Sequence, residues 1–173
     1  MRRTTRNITI SAVMTAFAVA LLYLASILPA ERMGIVAVSS LFGIAAVIEA
    51  GIPAGVFVFL GGSLIGWLLV PYKPVILLYA LFLGYYPVVK SLAEKLKNKV
   101  LQWAVKLAVF NLAFTALWFL FSALVFGPAI LKLGTGLVYP VGNLVFILYD
   151  IGLTRLIGVY IVRISKNLRK NKE

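Results

Sequence analysis

The sequence contains neither cysteine nor histidine. The first absence removes disulfide staples and thiol nucleophiles. The two together remove the usual zinc and haem ligands and all imidazole acid–base chemistry. Acids are scarce as well: five Asp and Glu stand against seventeen Lys and Arg, for a net charge of +12. Catalysis by paired carboxylates has little to draw on. There is no Gly-x-x-x-x-Gly-Lys-[Ser/Thr] loop to cradle nucleotide phosphates. No internal repeat of the kind found in secondary transporters is evident. Neither an enzyme nor a cofactor-bearing protein is expected.

What the chain has in abundance is apolar sequence. Of its 173 residues 62% are hydrophobic and only 13% charged, where a soluble domain has roughly a quarter charged. The apolar residues form long blocks separated by breakers. A spanning helix needs roughly 20 of them, and six such runs are legible: 8–28, 34–50, 53–70, 75–89, 101–126 and 137–162. Glu49, Gly51 and Pro53 split a block too long for one span, because a charge, a flexible residue and a helix breaker together make a turn. The short fourth run contains Pro87, so five spans is the alternative count. The first run has a basic flank and no cleavage site, so it is expected to remain as a span. The expected fold is an all-α integral membrane protein, a single bundle of six transmembrane helices.

Positive charge gives the orientation. With six spans, twelve Lys and Arg, in the 2–6, 90–99 and 163–172 clusters, fall on one side. Arg32, Lys73 and Lys132 fall on the other. Cytoplasmic ends carry the excess, so both termini are expected in the cytoplasm. The basic clusters would suit anionic lipid headgroups. Their dispersal along membrane-flanking segments argues against nucleic acid.

Polar residues within the spans are the candidate functional groups, since ionisable side chains at depth are costly. Asp150 is the acid nearest the centre of a span. Its depth matches that of Asn111, and Arg155 lies near the depth of Lys106, so a network of Lys106, Asn111, Asp150 and Arg155 is allowed. It reads either as a charge-neutralising clasp or as an ion relay. Glu49 either caps the helix beginning at Pro53, is solvated, or meets a partner at the surface. In the outer half, Trp67, Tyr72, Lys73, Tyr79, Trp118, Lys132, Tyr139 and Asn143 combine aromatic walls with hydrogen-bonding groups, as a small-ligand pocket requires. The same aromatics also suit a headgroup belt, Asn143 excepted. Pro140 and Gly142 are expected to loosen the helix behind them.

The first run carries Ser11, Ala12, Thr15, Ala16 and Ala20. Ala12, Ala16 and Ala20 are four apart and share one helical face, where small side chains let another helix's backbone approach closely. The stripe packs either inside its own bundle or against a partner. The start Arg2-Arg3-Thr4-Thr5-Arg6 followed by Ala12-Val13-Met14-Thr15-Ala16, extended to Ala20, resembles the substrate-binding S components of energy-coupling factor transporters. Length, six spans and inside termini agree with that family across essentially the whole chain.

The resemblance implies a subunit of a bacterial cytoplasmic membrane that captures a vitamin or related micronutrient beneath its outer loops. It also implies that the alanine face docks onto a transmembrane coupling subunit and, through it, onto ATPase subunits. No residue pattern selects the ligand. Two other classes remain: a multi-span scaffold similar to the rod-shape protein MreD, and a membrane enzyme or small exporter.

Overall fold

The computed structural model describes residues 2–28, 30–125 and 135–162, with side chains placed for 4–28, 30–119 and 139–162. Among these residues the only regular structure is helix, and six helices are long and apolar enough to cross a membrane. Helices α1 (Arg2–Ile27), α2 (Arg32–Ala50) and α3 (Ile52–Leu69) follow the first three apolar runs. The fourth span is composite: α4 (Lys73–Leu78), a π-helical turn (Tyr79–Leu83) and α5 (Tyr86–Ala93). Helices α6 (Lys99–Val125) and α7 (Thr135–Tyr160) complete the set.

The breakers act where the sequence places them. Gly51 adopts a φ of +89° between α2 and α3, a left-handed value that only glycine takes at no steric cost. Pro53 follows in the first turn of α3, where a missing N–H leaves no bond unmade. Glu49 does not cap α3: no side chain caps that helix, and the glycine turn supplies the start instead. Pro87 sits in the first turn of α5 rather than inside a continuous helix. The chain accommodates it by a π turn that closes with Gly84 N–H donating to the Tyr79 carbonyl at 2.7 Å. Pro140, in contrast, lies within α7 without ending it, so the expected loosening there is not a break in the helix.

The chain divides into two compact units, Met1–Ala108 and Val109–Glu173. In the first, α1, α2 and α3 pack mutually, and the composite span lies against α2 and α3. The packing is of the kind lipid demands. Apolar tails give no hydrophobic drive between helices, so small residues at the contacts let backbones close in. Ala18, Ala46, Ala54 and Val58 form the centre, with Met14, Phe42 and Ala50 against them. A methyl group added at Gly55 would collide with the Val47 side chain 2.3 Å away, and one at Gly66 with Ile76 at 2.4 Å. The buried Ser39 and Ser40 hydroxyls are satisfied within α2 itself: Ser39 donates to the Val36 carbonyl and Ser40 to that of Ala37, both at 2.7 Å.

Two contacts set the ends of this unit. An Arg6 guanidinium nitrogen donates to the Glu49 carbonyl at 3.2 Å, joining the start of α1 to the α2–α3 turn. At the opposite end the Arg32 guanidinium lies 4.0 Å from the centre of the Tyr72 ring, joining the α1–α2 and α3–α4 links.

In the second unit α6 and α7 meet through an aromatic stack. Phe110 lies 4.4 Å from Phe146 and 5.5 Å from Phe114 between ring centres, and Phe114 meets Tyr139 edge-on at 5.4 Å.

Candidate functional site

The face of α1 that the sequence groups together is split in two by the fold. Ser11, Thr15, Ala18, Leu22 and Ala25 are buried and form the inward stripe. Their spacing of four and three is that of a packed helix seam. Ser11 and Thr15 donate back to the carbonyls of Asn7 and Ser11 at 2.9 and 2.7 Å, so neither hydroxyl needs a neighbour. Ala12, Ala16 and Ala20 are exposed.

Next to that exposed face, α1 and α3 approach so closely that a methyl at Gly61 would lie 3.0 Å from the Thr15 methyl. The consequence is an open groove of about 1020 Å³, lined from Ile8 to Tyr23 on α1 and by Phe57, Gly61, Ile65 and Leu69 on α3. At 1.5 Å per residue the α1 wall runs about 22 Å, enough for four turns of a facing helix. The three alanines lie along it, and Phe57 and Ile65 are exposed beside them. Phe57 and Ile65 are members that sequence reasoning missed; only the placement of α3 beside α1 brings them in.

The outer-half candidates fall into separate groups. In the first unit, Trp67, Tyr72 and Lys73 lie at the end of α3 and the start of α4. The Lys73 ammonium donates to the Trp67 and Val70 carbonyls and lies 5.4 Å from the centre of the Trp67 ring. It therefore serves as a C-cap for α3, answering carbonyls the helix leaves open and the negative end of its dipole. Tyr72 is covered on one face by Arg32. Tyr79 is fully buried between Gly62 and Gly84, and in this conformation it packs helices and offers a ligand no surface.

In the second unit, Asn143 is placed opposite Asn111. Each side-chain amide donates to the other's carbonyl oxygen, at 2.9 and 3.1 Å, and Asn143 donates also to the Tyr139 backbone carbonyl at 2.9 Å. Tyr139 and Thr115 share a hydrogen bond of 2.9 Å between their hydroxyls. The amide that a ligand was expected to satisfy is satisfied by a neighbouring helix. The signal for this was present in the sequence as two four-residue spacings, Asn111 to Thr115 and Tyr139 to Asn143. Trp118 is half-buried, and its indole N–H has no acceptor among the described residues. Lys132 lies outside the described residues.

Of the proposed intramembrane network, the structure supplies Asn111 and Lys106 with partners outside that set. Asn111 pairs with Asn143, and Lys106 pairs with Glu94. A single Glu94 oxygen accepts from Lys90 at 2.8 Å and from Lys106 at 3.1 Å. Both ammonium groups are buried while Glu94 is 41% exposed. Burial pushes the Glu94 carboxyl up, but hydrogen bonds and charge from Lys90 and Lys106 outweigh it and hold the group below its ordinary 4.5. Asp150 is 2% exposed on α7 and partnered, and Arg155 is exposed.

No protein-family model matches the chain, and no curated protein or solved structure matches it. Among the described residues no group of His, Cys, Asp or Glu is placed to hold a metal ion. The most distinctive feature is the groove of small residues along α1.

Proposed function

We propose that this chain is a membrane-embedded capture subunit for a small micronutrient, working through a transmembrane coupling subunit on which ATPase subunits act. Its place is the cytoplasmic membrane of a bacterium, with both termini inside. The observation that carries the partner-dependent part is the exposure of Ala12, Ala16 and Ala20 along a groove about 1020 Å³ in volume. A groove that small residues line admits a second helix at close range, and dispersion contacts then replace those made with lipid. Micronutrient capture rests on the resemblance of the basic start and alanine motif to S components. The orientation rests on charge: Arg6 and Lys90–Lys99 sit at one end of the first unit, and only Arg32 and Lys73 at the other.

The test introduces bulk at the groove. Ala12→Trp or Ala16→Trp is expected to abolish co-purification with a coupling subunit while the solitary chain stays folded, because overpacking forces backbones apart. Assembly and uptake at the normal level in both variants would overturn the docking role. Mass spectrometry of small molecules that co-purify tests capture separately.

A scaffold similar to the rod-shape protein is the second reading, favoured by one observation. Asn143 and Tyr139 hydrogen-bond to Asn111 and Thr115, so the polar groups in the outer part of the second unit satisfy one another without a ligand. A chain that assembles with membrane partners but retains no small molecule would support it.

A further inference from the structure

Five lysines lie between residues 90 and 106, and the fold sorts them into two kinds. Lys90 and Lys106 are buried and share the Glu94 carboxylate. Lys95, Lys97 and Lys99 are exposed, and among the described residues no acid is paired with any of them. We propose that the link between α5 and α6 is a binding site for anionic phospholipid headgroups, formed by Lys95, Lys97 and Lys99 and not by Lys90 or Lys106.

Three features favour a lipid headgroup as the occupant. The link joins two spans, one ending at Ala93 and the next starting at Lys99, so the three ammonium groups lie where a spanning helix leaves the hydrocarbon. Exposed Leu92, Val100 and Leu101 flank them, which an aqueous partner would leave wet and acyl chains would cover. The link is also held in shape. Gln102 donates to the Leu96 carbonyl at 2.7 Å, and Asn98 accepts from the Val100 N–H at 2.9 Å. The Glu94 clasp closes its base, so the backbone that carries the three lysines has little ordering left to lose on binding. Because Glu94 is held by Lys90 and Lys106, it does not cancel their neighbours.

The experiment uses the full chain purified in detergent, with native mass spectrometry during titration of phosphatidylglycerol or phosphatidylcholine. The wild type is expected to retain phosphatidylglycerol preferentially. Each exposed lysine contributes about fivefold, so the triple variant Lys95→Gln, Lys97→Gln, Lys99→Gln is expected to lose about a hundredfold of that preference. Single Lys97→Gln is expected to lose about fivefold and serves if the triple variant is unstable. Lys90→Gln is expected to lower the melting temperature yet keep the preference. Equal retention of both lipids by the wild type would overturn the proposal, as would an unchanged preference in the triple and single variants. Complete displacement of phosphatidylglycerol by inorganic phosphate would also overturn it, as a free-anion site.

Discussion

Replacing Asn143 by alanine removes both amide bonds to Asn111 and the bond to the Tyr139 carbonyl. A net hydrogen bond contributes about 0.5–1.5 kcal/mol in water-soluble proteins. Within a membrane the unfolded helices find other partners, and measured interhelical bonds average about 0.6 kcal/mol with a maximum near 1.7. The Tyr139 carbonyl is already bonded within its own helix frame, so the Asn111 pair carries most of the loss. Asn143→Ala is therefore expected to destabilise the chain by about 1–2 kcal/mol. Asn111→Ala should cost a similar amount, and the double variant should cost clearly less than the sum. The assay is reversible unfolding in mixed micelles across the double-mutant cycle, where the coupling should be about 0.6–1.7 kcal/mol. Additivity within about 0.3 kcal/mol would refute the pairing. It would also return Asn143 to the ligand, for which it was first a candidate.

Gly62→Ala is expected to destabilise by about 1–3 kcal/mol, because the new methyl would lie 2.9 Å from the Tyr79 hydroxyl and 3.1 Å from the ring, which is also held closely against Gly84. Thermal melts showing no loss would mean that Tyr79 is free to move. The Glu94 carboxyl is held below its ordinary 4.5, so the unfolded chain binds the proton more readily than the folded one. Stability from the clasp is then complete above pH 4.5 and is lost as pH falls through the lower folded value; Glu94→Gln should abolish that acid-side decline in a pH series of melts. Lys73→Met keeps the apolar stem but removes the ammonium from the Trp67 and Val70 carbonyls, at a cost of about 0.3–1 kcal/mol and with faster amide exchange at the end of α3. Exchange as slow as in the wild type would mean the cap contributes nothing.

The spans were legible because their signals are local. Twenty apolar residues satisfy the backbone and the lipid whatever lies beside them, and Gly51 and Pro53 set the boundary between α2 and α3 by their own covalent geometry. The observed helices accordingly start and stop close to the runs read from composition, apart from the first, which begins six residues earlier at Arg2, and the fourth, where the π turn at Tyr79–Leu83 absorbs Pro87. The faces were not legible in the same way. In water a buried stripe declares itself by being more apolar than the rest, but a bilayer gives every side of a helix the same apolar requirement. Ser11 and Thr15 could therefore turn inward while Ala12, Ala16 and Ala20, about 100° around the same helix, stayed exposed. The placement of α3 against α1 decided this. Partner choice among the polar residues was tertiary for a related reason: at one depth several groups satisfy the same need. Only the approach of one helix to the next selected Asn143 for Asn111, and Glu94 for the ammonium groups of Lys90 and Lys106.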